Sequence, residues 1–218
     1  MKTAIYELAS IGHGRVTALL RLQRYHSSRK MVGLYNAHVL SKIEFATAAI
    51  YHASPFFLSA LDRVQDRFLE ALEISKETAL LEFKLAPLQA RRDMALLGLL
   101  HRIVLGQAPA QFSEIVRLAD RPVFPRSMRA PEGRHTRQLH DPTCGAESRM
   151  LQRSWLRLIY TYNLLPQAFV DKKTVSLFQR SLQKAVANAA VAGGNRWDTF
   201  LHAGVHCMTA RTFQARFE

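Results

Sequence analysis

The chain has 218 residues, 48% of them hydrophobic, and a formal net charge of +13 with a pI near 10.3. That apolar content supplies a packed core and excludes wholesale disorder. No apolar run reaches the ~20 residues of a membrane span, so no membrane partner is expected.

The charge is uneven. Residues 1–53 carry +5, residues 54–118 zero, residues 119–157 +4 and residues 158–218 +4. Basic ends around a neutral middle point to a polyanionic partner, most simply nucleic acid. The N-terminal MKTAIYELASIGHGR has too short and mixed an apolar patch for a signal peptide, and it reads as a helix start. Cys144 and Cys207 give no disulfide framework and suit a reducing compartment.

In chain order, residues 3–27 read as one helix or two, weakened at Gly12-His13-Gly14. Met31, Tyr35, Val39, Ile43, Ala46 and Ile50 then recur at steps of four and three, one face of a helix. Phe57, Leu61, Val64, Phe68 and Leu72 repeat the pattern. Ser54-Pro55 joins the two runs, serine as a cap and proline at the first helical position, where no N–H is needed. This is a long central helical hairpin whose two stripes are expected to bury each other. Its outward faces carry Asn36, Lys42, Glu44 and Thr47 on the first arm and Asp62, Arg63, Asp66, Glu70 and Glu73 on the second. Ser75 caps a short helix. Pro87 opens another, with Leu88, Met94, Leu97, Leu100 or His101, and Val104 as its stripe and Gly106 as its stop.

Residues 119–147 hold four of the eight prolines and five arginines without periodicity, which reads as a long loop or partly disordered arm. Residues 148–166 read as helix again, with Leu151, Trp155, Leu158 and Tyr162 as its stripe and Pro166 as its end. Thr174 caps a last helix with Val175, Phe178, Leu182 and Val186 on one face, and Gly193-Gly194 stops it. The expected fold is all-α. A helical bundle over 1–118 surrounds the central hairpin, an Arg/Pro-rich linker spans 119–147, a smaller helical unit spans 148–201, and 202–218 is a weakly patterned tail expected to fray.

Leu34, Tyr35, Val39, Ser41, Ile43, Glu44, Phe45, Leu61, Val64, Gln65, Arg67 and Phe68 follow an order and spacing similar to the segment after the palm in reverse transcriptases of LINE-type (non-LTR) retrotransposons. Pro87, Leu88, Arg91, Arg92 and Leu97 resemble the next stretch of those proteins. A second block, Asn163, Leu165, Pro166, Phe178 and Leu182, resembles their terminal tryptophan-asparagine-x-leucine-proline element, with Tyr162 for the tryptophan and Gln179 for a lysine. The resemblance spans roughly residues 15–190 and implies the thumb and connector of an RNA-directed DNA polymerase, with RNA or an RNA–DNA hybrid as partner. Such polymerases hold divalent ions on adjacent aspartates. No Asp-Asp pair occurs here, so the chain alone is expected not to be an enzyme: either a trailing part of a longer element or a relic of one. It implies an intracellular site, nuclear for an active element. Protein partners are not specified, and the alternative is a helical protein-interaction scaffold or an inactive relic.

No phosphate loop or nucleophile elbow occurs. His135, His140 and Cys144, and likewise His202, His206 and Cys207, have loose metal-like spacing. Each set offers one cysteine and three residues where a closed zinc site needs four, so neither a metal nor a cofactor is expected. The acidic row Asp62, Asp66, Glu70 and Glu73, with Arg63 and Arg67 between, reads as a solvated face with local ion pairs.

The candidate site residues are cations. Arg24, Arg29 and Lys30 form one patch. Arg126, Arg129, Arg134 and Arg137 lie in the linker, and Arg149, Arg153 and Arg157 follow at four-residue steps, a stripe about 12 Å long on a helix. Such arrays follow phosphates, whose contacts set affinity rather than sequence. His135 stands beside them as a residue to stack on an unpaired base.

Overall fold

A computed structural model describes residues 1–119, 135–143, 151, 153–193, 197–201 and 217. The fold is all-α: among the described residues the only β-type pairing is an isolated antiparallel bridge between Leu118 and Leu139. None of their helices is long and apolar enough to cross a membrane. The chain divides into two compact units, Met1–Arg92 and Asp93–Glu218.

The first unit holds α1 (Lys2–Leu20), a 3-10 turn (Gln23–Tyr25), α2 (Ser28–Tyr35), a π-helical turn (Asn36–Leu40), α3 (Ser41–Phe45), α4 (Thr47–Ile50), α5 (Pro55–Ala71) and α6 (Lys76–Phe83). It also holds the first turn of α7 (Leu88–Val104). Met31, Tyr35, Val39, Leu61, Val64 and Phe68 are fully buried, as their spacing requires. Tyr35 stacks on Phe68 with ring centroids 4.3 Å apart. Ser54 and Pro55 start α5 in the expected positions, but the Ser54 side chain makes no cap hydrogen bond; its carbonyl accepts from Leu58 N instead.

Three features of this unit differ from the sequence reading. Firstly, of the one helix or two left open by the sequence, one is formed across the glycines: α1 runs unbroken through Gly12 and Gly14, and Gly12 sits where it crosses α5. A β-carbon there would stand 3.0 Å from Val64 Cγ1. Secondly, α5 lies closest to α1, and the two arms of the hairpin meet through large rings instead of at close backbone approach. Thirdly, the first arm is not one regular helix. The wider π turn keeps Tyr35, Val39 and Ile43 in line at steps of four, and a turn at Ala46 follows. The buried face therefore passes from Ile43 to Thr47, which the spacing places on the outward face, and Ala46 is only half-buried.

The polar face of α5 is not simply solvated. Asp66 pairs with Lys76 of α6 at 2.8 Å, and Asp62 with the buried Arg92 of α7 at 2.9 Å. Glu44, expected to face outward, pairs with Arg91. Gln65 donates to the Ala86 carbonyl in the loop before α7.

The second unit contains the rest of α7, α8 (Gln111–Ile115), a 3-10 turn (Trp155–Arg157), α9 (Leu158–Leu164), α10 (Gln167–Val170), α11 (Val175–Val191) and a last 3-10 turn (Trp197–Thr199). Thr174 caps α11 by accepting from the Leu177 amide. Phe178, Leu182 and Val186 are buried on its stripe, and Gly106 and Gly193 take the left-handed conformation that ends their helices.

Part of the expected linker belongs to this unit's core. His135, Gln138 and Leu139 are buried. Ala119 N–H donates to Gln138 O and His140 N–H to Arg117 O. The side-chain amide of Asn163 donates to Leu139 O at 2.7 Å and accepts from Leu139 N at 2.8 Å, a side chain acting as a neighbouring strand. Residues 135–143 are therefore not a free arm. Nor is the tail wholly unpacked: Phe217 is half-buried, its ring 4.9 Å from Phe169 and 5.0 Å from Phe200. Cys144, Cys207, His202 and His206 lie outside the described residues.

Candidate nucleic-acid interface

The site is built where α1 ends and α2 begins. Leu20 is the last residue of α1, and the 3-10 turn closes through Tyr25 N–H to Leu22 O at 3.0 Å. The Gln23 side chain ties that turn to the end of α5 by donating to Ala71 O at 3.0 Å. Ser27 is extended, and its carbonyl accepts from Met31 N to open α2. Every residue from Arg21 to Lys30 is exposed, Arg24, Arg29 and Lys30 among them.

Arg29 and Lys30 stand in the first turn of α2, a turn with no acidic residue. The positive end of the helix dipole disfavours cations there by about 0.3–1 kcal/mol each at low ionic strength. Helix stability therefore does not account for their position. The chain has no Asp or Glu between Glu7 and Glu44, so the field over this surface is unrelieved by anything local in sequence. Arg15 in this stretch is used internally, its Nη1 donating to the His38 carbonyl.

The other candidates divide. Arg137 is half-buried, and its Nη1 donates to Val170 O at 3.2 Å, so it holds the second unit together. Arg153 is exposed and Arg157 half-buried. The expected helical stripe through them is not formed: Ser154 is extended, with ψ 157°, and its hydroxyl donates to Leu151 O. Serine competes for backbone partners in this way and breaks helices. Arg126, Arg129, Arg134 and Arg149 lie outside the described residues.

His135 is not available to stack on a base. It is 3% exposed, Nε2 donates to Tyr162 O at 2.9 Å, and Nδ1 accepts from Arg137 N. The sequence reading also passed over Tyr25, which is 71% exposed with the Arg24 guanidinium 5.9 Å from its ring centroid. The available signal was a lone aromatic in an acid-free basic run.

The described residues hold no group of three or more His, Cys, Asp or Glu side chains placed for a metal. The most unusual polar cluster is buried. His101 stacks on Phe178 at 4.2 Å, with Nε2 donating to Lys172 O at 2.8 Å and Nδ1 accepting from Tyr162 OH at 3.0 Å. Burial pushes the His101 pKa below 6.5, with the nearby Arg137 charge adding to the shift, against the Lys172 carbonyl, and burial pushes the Tyr162 hydroxyl up. The unfolded chain takes up a proton near pH 6.5 that folded His101 resists. Stability is therefore full above that pH and is lost as pH falls through the lowered folded value. His13, lowered by burial and by Arg67 and Arg63, acts in the same sense. Thermal melts should show a midpoint that drops from pH 7 to 5. H101F should lose stability at pH 7 and show a shallower acid slope, and an unchanged slope would assign the acid sensitivity elsewhere.

Comparison of the chain with protein-family models, curated proteins and solved structures finds no match.

Proposed function

We propose that the chain is a non-catalytic nucleic-acid-holding module, similar to the thumb and connector of a LINE-type reverse transcriptase, that grips RNA or an RNA–DNA hybrid by its phosphates. The observation that carries this reading is the exposed run of residues 21–30, which bears Arg24, Arg29 and Lys30 with no acid nearby in sequence and sets two of these cations against a helix dipole. Arg153 is a further exposed candidate. The two blocks of resemblance supply the kind of nucleic acid.

A salt titration tests it. Three phosphate contacts on a single strand give a slope of about −2 in log affinity against log salt. Raising salt from about 50 to 200 mM should then weaken binding roughly twentyfold. Absence of micromolar or tighter binding at low salt would refute the reading. A template-directed polymerisation assay on this chain should be blank.

A second reading, a protein-interaction scaffold, is favoured by one surface. Phe56 is 72% exposed beside Phe57, whose ring lies 5.6 Å away and also meets Tyr6 at 6.2 Å. Capture of a protein partner that survives nuclease treatment and is lost in F56D would favour it.

A further inference from the structure

An exposed tyrosine needs a reason when the turn that presents it is anchored at both ends. Tyr25 leaves 71% of its surface in water, yet its turn is tied to α5 through Gln23 and continues directly into α2. The backbone that carries the ring is therefore anchored, so less of it has to be ordered on binding. Arg21, Arg24, Arg29 and Lys30 surround it in sequence, all exposed, with Arg24 near the ring.

We propose that Tyr25 is a stacking platform for an unpaired base, so that this surface takes single-stranded nucleic acid in preference to duplex. The proposal rests on the phosphate-binding reading of Arg24, Arg29 and Lys30 and adds the strandedness of the partner. Bases inside a duplex are already stacked on both faces, and a side-chain ring on the surface cannot reach them. A splayed base offers a free π-face of any sequence, and exposed aromatic side chains beside cations are how such bases are held. A protein partner would have to desolvate the cations around the ring, and the cores of protein interfaces are depleted in charge.

Fluorescence anisotropy at low salt with a labelled single-stranded RNA and a blunt RNA duplex of the same sequence tests this on the full chain. Y25A should bind the single strand about tenfold more weakly and the duplex within about twofold of the parent, from the usual worth of one base stack. Y25F keeps the ring and should bind both as the parent does. R29A/K30A should weaken both ligands together. An equal loss on both ligands in Y25A, or no loss, overturns the stacking role. If R29A/K30A still loses affinity in that case, phosphate binding stands without it. No binding of either ligand by the parent overturns both readings. Circular dichroism checks that Y25A is folded, as an exposed position predicts.

Discussion

N163L is expected to destabilise the Asp93–Glu218 unit by about 3–4 kcal/mol, because the Asn163 amide is partner to both backbone groups of Leu139. Leu139 is 1% exposed, so water cannot replace either bond. Leaving a buried donor or acceptor unmade costs about 1–3 kcal/mol each, and here one substitution orphans one of each kind. Leucine keeps the branching of asparagine, so no cavity is opened and the loss falls on the two hydrogen bonds. The urea midpoint should fall by roughly 1–2 M. N163D keeps the acceptor for the Leu139 amide but sets a buried carboxylate oxygen against the Leu139 carbonyl oxygen, so near neutral pH it should be destabilised at least as much as N163L. Hydrogen exchange gives a local readout: the Leu139 amide should lose its protection in N163L before neighbouring helical amides do. An unchanged midpoint would mean that residues 135–143 are not part of the unit's core.

That interaction also shows why the sequence was readable in some places and not in others. Ser54-Pro55, Ser75, Thr174, Gly106 and Gly193 announce helix ends because each satisfies or stops a helix within a few residues of itself. The order of residues 135–143 comes instead largely from bonds to groups distant in the chain, as Leu139 to Asn163 and His135 to Tyr162 show. No local period encodes that. Arg24, Arg29 and Lys30 were legible as an exposed patch because a run of cations without acids rarely finds a buried use. Arg137 looked the same in sequence, and only the Val170 carbonyl beside it distinguishes the two cases.

Several residues that suggested the resemblance have structural work to do. Glu44 and Arg91 tie α3 to α7, Gln65 fastens the loop before α7, Arg92 meets Asp62, and Asn163 holds Leu139. Positions of this kind speak to how the helices are held, and the binding readings rest on the exposed surface.

The α1–α5 crossing makes the second large prediction, with opposite signs at two glycines on one helix. G12L should destabilise the first unit by about 2 kcal/mol. Overpacking costs about 1–3 kcal/mol. A β-carbon at Gly12 already stands 3.0 Å from Val64 Cγ1 and 3.2 Å from Val64 Cγ2, and leucine adds three more carbons in the same direction. Replacing glycine inside a helix returns about 0.8–1 kcal/mol of backbone entropy, which offsets part of the cost. G14A receives the same backbone benefit with nothing within 4 Å to oppose it, so it should stabilise the protein by about 0.5–1 kcal/mol. A shift of a unit's melting midpoint by several degrees in each direction reads both effects. If both variants were stabilised equally, Gly12 would be an ordinary surface position and α1 would not cross α5 there. If both were destabilised, the helix through the Gly-His-Gly sequence would be interrupted and the first unit would have to be held by the hairpin alone.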